Sequence, residues 1–232
     1  MLRPIIKPNW RRRRAVIVSP MPEMGVLIYN DGKPDFDIFT YAYDESELDY
    51  SKMNGLNPID HYKFVSEFWG ESFLKLCKFI NNRYEVVCFM NSDLFVTVTS
   101  LNKFFEINDL FSLDFSQPSL SDNSYYSHLH TKNIPGGGVV EVPFIEIMMP
   151  CLSNTVINEI CKINKTTISG WGLDVYLFDY IRKKLTLTKP AVIHDCEVVH
   201  IKPIESNRIF SDGLSAYEQM KELELYLEAN KP

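Results

Sequence analysis

Two short stretches carry residue types able to do chemistry together. Residues 170–174 read Gly-Trp-Gly-Leu-Asp. Gly170 and Gly172 allow the main chain to approach a ligand closely or to take up positive φ. Trp171 offers a wide apolar face with a single N–H donor, and Asp174 can accept a hydrogen bond or a proton from a hydroxyl. That set suits a hydroxylated ring such as a sugar. The same residues also have a purely structural reading. Asp174 precedes Val175, Leu177, Phe178, Ile181 and Leu185 at roughly helical period, as a plain helix N-cap would, and Trp171 fits a core position equally well.

The second stretch is Asn91-Ser92-Asp93, which follows the near-continuous apolar run 84–90 (YEVVCFM). Such a run marks a strand covered on both faces, as in a parallel sheet. An acid leaving it is held by a rigid element with its head toward solvent, a good position for a metal ligand. Mg²⁺ takes oxygen ligands, commonly one or two carboxylates plus substrate phosphates, and Mn²⁺ is also suited to carboxylate and carbonyl oxygen. Asn91 would add a carbonyl oxygen without charge. The alternative is a strand-end Asx turn in which both side chains bond nearby amides. His200, after Val198-Val199, is either a second metal ligand at the same edge or a hydrogen-bonded core histidine. His128 and His130 form an HxH pair without a matching third ligand, and read as loop residues able to contact an acceptor.

These groups must be positioned by regular elements. Runs 15–19 and 36–43 are β-branched or aromatic and read as strands. Over 66–82, Phe68, Trp69, Phe73, Leu76, Phe79 and Ile80 recur near helical spacing, with Asn81-Asn82 as a stop. A helix over 100–110 and a short strand at 113–116 follow. Residues 117–138 are rich in Ser, Asn, Pro and Gly and read as a long loop of the kind that carries function. A strand over 139–149 precedes a helix over 153–163 capped by Ser153. Short strands at 191–193 and 198–201 and a terminal helix over 215–228 complete the chain. Strands alternating with helices imply an α/β sandwich with a largely parallel sheet, whose ligands gather beyond the C-terminal strand ends.

The 232 residues, 45% hydrophobic and 23% charged, suit one sizeable core, and a single domain over 1–232 is expected. The net charge of −6 argues against general nucleic-acid binding, which needs a basic surface. The one basic block, 11–14, is read as a solvated strand entrance, with an anionic-lipid or phosphate contact as alternatives. Five cysteines without a CxxC pair indicate neither a zinc site nor a disulfide scaffold. No run approaches the roughly 20 apolar residues that span a bilayer, and no signal-peptide core opens the chain. A soluble cytoplasmic protein, with no transmembrane segment but with peripheral membrane contact open, is the expectation.

Taken in order, the NSD triplet at 91–93, Gln117-Pro118-Ser119, VEVPFIEIMMP at 140–150, GWGLD at 170–174 and VVH at 198–200 resemble glycosyltransferases of the GT-A fold. The resemblance covers roughly residues 84–202. It implies a GT-A-like, Rossmann-like α/β/α sandwich with a mixed, largely parallel sheet, its nucleotide-binding half near 14–95 and its acceptor-binding half near 96–232. It further implies Mn²⁺ or Mg²⁺ held by Asp93, Asn91 and His200 against the diphosphate of a nucleotide-sugar donor. Asp174 would be the base toward a carbohydrate or glycan acceptor, with inversion of configuration, and Glu146 a second candidate for base or acceptor binding. Trp171, Gly170, Gly172 and Gln117 would line the substrate site. On the donor side Asp44 and Glu45 would bond ribose, and Lys63 or the 11–14 block would face phosphate. Asn91 stands where the family usually has an acid, which keeps open a degenerate, non-catalytic nucleotide-sugar or carbohydrate-binding module. A metal-dependent phosphate-ester hydrolase is a third reading, and it would need a tighter ligand cluster.

Overall fold

The computed structural model describes residues 13–44, 46–165, 167–203 and 208–230; Arg11, Arg12 and Glu45 of the expected donor side lie outside these. The elements are β1 (Arg14–Val18), β2 (Ile28–Tyr29), β3 (Asp37–Ala42), β4 (Asp60–Lys63), α1 (Trp69–Ile80), β5 (Val86–Met90), β6 (Leu94–Thr97), α2 (Val98–Phe111), β7 (Phe115–Leu120), β8 (Val139–Glu141), β9 (Cys151–Ser153), α3 (Asn154–Ile160), α4 (Phe178–Lys184), β10 (Ala191–His200) and α5 (Ala216–Ala229). The strands form a single sheet in the order β2-β6-β10-β7-β9-β5-β1-β3-β4, with β8 paired on β10.

Strand direction decides where the chemistry gathers. β1 runs parallel to both β3 and β5, β3 parallel to β4, and β7 parallel to β10. β9 lies antiparallel between β5 and β7, so β5 and β7 point the same way. Asp93 after β5, the loop after β7, and His200 closing β10 therefore leave from one edge of the sheet.

The alternation of side chains along each strand divides the core between two faces. Ala15 and Ile17 of β1, with Phe39, Val87 and Phe89, pack beneath α1, α3, α4 and α5. Val16 and Val18, with Ile38, Cys88 and Met90, pack against Leu101, Phe104 and Phe105 of α2. Helix α1 contributes Phe73, Leu76, Cys77 and Ile80, the i, i+3, i+4, i+7 stripe expected of an amphipathic helix. Thr97 caps α2 through Ser100 N–H, and Ser215 caps α5 in a capping box with Glu218. All five cysteines are free thiols.

Three local expectations change. The strand read over 139–149 is two short strands, β8 and β9, joined by an irregular segment at 142–150. Pro143 and Pro150, which lack the N–H a ladder needs, bracket that segment, so Glu146 sits on a buried connection rather than a strand. Gln117 and Pro118 belong to β7, not to a loop. Pro118 is tolerated there because the pairing with β10 jumps from Pro118–Ile193 to Ser119–Glu197, a bulge at the point where proline cannot donate. The two strands read at 191–193 and 198–201 are one strand, β10, interrupted by that bulge.

Candidate functional site

Beyond the shared strand edge, Asp93 Oδ2 lies 3.3 Å from His200 Nε2. The imidazole is anchored from behind, its Nδ1 3.1 Å from the Tyr125 carbonyl. A carbonyl only accepts, so Nδ1 carries a hydrogen and Nε2 faces the carboxylate. Burial works against charge on this ring, but Asp93, the Tyr125 carbonyl and Glu146 together outweigh it and raise the His200 pKa above its ordinary value. Oδ1 of Asp93 and Oδ1 of Asn91 are buried and without a hydrogen-bond partner. Asp93 thus brings a carboxylate to the imidazole, and Asn91, two residues earlier, adds a further unpartnered oxygen; oxygen and imidazole donors are of the type divalent cations take. Among the described residues, no three or more His, Cys, Asp or Glu side chains are grouped for a metal ion, so this set reaches three donors only through the Asn91 amide.

A second acidic pair comes from the segment 142–150 and the turn at 170–174. Glu146 is 4% exposed, and both its carboxyl oxygens lack a hydrogen-bond partner. Its backbone is fixed on several sides. Gln117 Oε1 accepts from Glu146 N–H at 2.5 Å, Asp174 Oδ2 accepts from Ile147 N–H at 3.4 Å, and Trp69 Nε1 donates to the Ile147 carbonyl at 2.8 Å. Asn91 N–H donates to the Met148 carbonyl at 3.0 Å, tying the acidic triplet to the same segment. Burial first, then the charge of Asp174, push the Glu146 carboxyl up to about 8 against the opposing pull of His200. Burial also pushes Asp174 up to about 6, although the N–H groups of Val175 and Ile147 favour its charged form. Asp174 keeps partial solvent exposure; the shift reflects the protein surrounding its carboxylate.

The turn bearing Asp174 is built by glycine. Gly170 and Gly172 have φ of 88° and 86°, the left-handed region that favours glycine. Gly172 opens a π-helical turn, Leu173–Leu177, that leads into α4. Asp174 thus lies within the first turn, and its oxygens bond Val175 N–H and Ile147 N–H in place of the expected N-cap bonds. The close approach at Gly170 is made with Gly70 of α1: a Cβ on Gly70 would come 2.2 Å from Gly170 N. Trp171 is half-buried, its backbone N–H donating to Ser169 Oγ at 3.2 Å.

Other expected residues fall outside this cluster. Lys63 ends β4 in an ion pair with Glu47, and Asp44 bonds Ser46 N–H at 3.1 Å at the far side of the sheet edge. The 121–138 loop, in contrast, reaches the cluster: His128 Nε2 is 4.0 Å from Glu146 Oε1, and the His128 and His130 rings stack and meet Phe144 edge-on.

Several supporting residues carried no sequence signal. Gln219 of α5, 3% exposed, accepts from Ser169 N–H at 2.8 Å and donates to Asp212 at 2.8 Å, so the terminal helix holds the turn at 170–174. Trp69 acts through its indole N–H on the Ile147 carbonyl, and Tyr125 through its main chain, whose carbonyl meets the His200 ring and whose N–H donates to the His200 carbonyl. Their roles depend on a partner distant in sequence, which periodicity cannot reveal.

A mixed α/β sandwich whose acids converge at the C-terminal edge of a largely parallel sheet has the fold of GT-A-like glycosyltransferases. Similar solved structures include those of S. aureus TarS 1–349. The complex with UDP-GlcNAc has a TM-score of 0.59 at 14% identity over 94% of this chain and 67% of that one. The complex with UDP has a TM-score of 0.56 at 13% identity over 94% and 66%, and a third TarS 1–349 structure 0.55 at 13% over 80% and 59%. The chain therefore spans about two thirds of TarS 1–349 or less. No family model matches the sequence, and no curated protein does. No helix among the described residues is long and apolar enough to cross a membrane.

Proposed function

We propose that this protein is a glycosyltransferase that moves a sugar from a nucleotide-diphosphate donor to a hydroxyl of a carbohydrate acceptor, with inversion. The observation that carries the reading is the convergence of two acidic groups, Asp93 with His200 and Asp174 with Glu146, at one sheet edge. The fold shared with TarS, a structure solved with UDP-GlcNAc, supports it.

Glycosyl transfer requires stabilisation of a leaving diphosphate and activation of a hydroxyl. Asp93, Asn91 and His200 would hold Mn²⁺ or Mg²⁺, which when bound supplies Lewis-acid stabilisation of the diphosphate. Without metal, a protonated His200 is the positive neighbour of Asp93; a metal ion offers Asp93 the same complement. Asp174, raised to about 6, is ionised at neutral pH yet more basic than an exposed carboxylate, which suits a general base toward a hydroxyl. Its two backbone N–H contacts, from Val175 and Ile147, orient the carboxylate.

The test is calorimetry and thermal shift with UDP, UDP-sugars and GDP-sugars, each with and without Mn²⁺, followed by transfer assays. A metal-dependent rise in melting temperature with at least one nucleotide sugar, lost in Asp93→Ala, is expected. Absence of binding by every nucleotide would overturn the proposal. A second reading, a binding module without turnover, is favoured by Asn91, which leaves the triplet one charge short. Stabilisation by nucleotide sugar without transfer across a broad acceptor panel would select it.

A further inference from the structure

Glu146 combines two features that do not ordinarily coexist. Its carboxyl is almost fully buried, and neither oxygen has a hydrogen-bond partner, whereas buried polar side chains are bonded in the large majority of cases. The backbone that carries it is held on several sides, its own N–H and the neighbouring peptide bonded by Gln117, Asp174 and Trp69, so the Glu146 Cα is fixed in place relative to the site.

Facing Glu146 is His128, whose Nε2 is 4.0 Å from Oε1, too far for a direct hydrogen bond. The imidazole is itself fixed, stacked on His130 and edge-on to Phe144, while His130 Nε2 is 3.0 Å from the Phe144 carbonyl. The His128 side chain remains 42% exposed, while the Glu146 oxygens it faces are shielded from solvent. An oxygen atom about 2.8 Å from each of two groups spaced 4.0 Å apart subtends an angle of roughly 90°. A hydroxyl fits this geometry, since it donates one hydrogen bond and accepts others.

We infer that Glu146 and His128 form a binding pair for a sugar hydroxyl, with Glu146 acting through hydrogen bonds and not as the base. This rests on the glycosyltransferase reading and deepens it by separating the two carboxyls: Asp174 takes the proton, Glu146 holds a hydroxyl. The upward shift of the Glu146 carboxyl agrees with this division, because a neutral carboxyl both donates and accepts. The hydroxyl belongs either to the donor sugar or to the acceptor.

The experiment compares wild type, Glu146→Gln, Glu146→Ala and His128→Ala. UDP, UDP-glucose, UDP-galactose and UDP-N-acetylglucosamine are titrated by calorimetry with Mn²⁺. Free glucose, galactose and N-acetylglucosamine are followed by saturation-transfer NMR in the presence of UDP. If the hydroxyl is the donor's, both alanine variants weaken UDP-sugar binding about tenfold or more and leave UDP binding within about twofold. If it is the acceptor's, UDP-sugar affinity is kept and the saturation-transfer signal of the free sugar is lost. In either case Glu146→Gln, which keeps a donor and an acceptor, retains sugar binding and loses less than about tenfold in transfer.

Alanine variants that bind every sugar as wild type does would overturn the hydroxyl pair, as a gap that holds only water would allow. So would a Glu146→Gln variant that binds normally but loses transfer about a hundredfold or more, the signature of a base. Wild-type protein that binds no nucleotide but binds free sugar through Glu146 would sink the glycosyltransferase reading and leave the hydroxyl pair standing; binding of neither would end both. His128 is partly exposed, so its alanine variant provides a folded comparison if Glu146→Ala does not fold.

Discussion

Asp93 and His200 are 107 positions apart, yet Oδ2 and Nε2 lie 3.3 Å from each other because β6, which begins directly after Asp93, pairs antiparallel with the end of β10, Leu94 opposite His200. The pair couples protonation to folding. The His200 pKa is raised above its ordinary value, so its contribution to stability is fully present below the unfolded value of about 6.5 and is lost as pH rises through the folded value. Asp93→Asn should lower the His200 titration point, followed by NMR of the ring protons. It should cost about 1–2 kcal/mol at pH 5.5 and less at pH 8.5. Equal losses at both pH values would refute the coupling.

Glu146 gives a slope of the same sign from a different cause, burial of a carboxyl rather than a charged partner. With its folded value near 8 against about 4.3 unfolded, the folded state binds more protons than the unfolded state across that window, so stability falls as pH rises through it. Glu146→Gln should remove this slope and stabilise the protein by about 1–3 kcal/mol at pH 8.5, with little effect at pH 4.5. Denaturant melts at the two pH values measure it.

Asp174→Asn keeps the side chain's shape and its acceptor oxygen but removes the base. Donor binding should stay within about threefold, while transfer drops about a hundredfold or more. In the wild type the acid limb of kcat/KM should fall near pH 6, following the raised Asp174 carboxyl. Wild-type transfer by the Asp174→Asn variant would remove Asp174 from the base role.

Gly70 and Gly170 meet backbone to backbone. An alanine Cβ at Gly70 would lie 2.2 Å from Gly170 N and 2.7 Å from the Thr167 carbonyl, atoms that cannot rotate away. Gly70→Ala should destabilise by about 1–3 kcal/mol or more, and the displaced turn at 170–174 should lower transfer more than UDP binding. A melting temperature unchanged from wild type would contradict the packing.

The amino-acid order alone conveyed the alternation of strands and helices, the buried β5 run that ends just before the NSD triplet, the α1 stripe and the Ser153 cap, because these depend on local periodicity and capping chemistry. It also marked Asp93, Asp174 and His200 as chemically able residues. It did not convey that Glu146 lies on a proline-bracketed connection, that β10 is one bulged strand, or that Gly170 serves contact with Gly70. Nor could it separate Asp174 from a helix cap. Those outcomes depend on non-local pairing: the pairing of β6 with the end of β10 brings Asp93 to His200, and the segment 146–148 places Glu146 opposite His128. A sequence states which side chains can do chemistry, but which of them share a small volume is decided by long-range packing, since the atoms that bury, align and desolvate each group lie many tens of residues away.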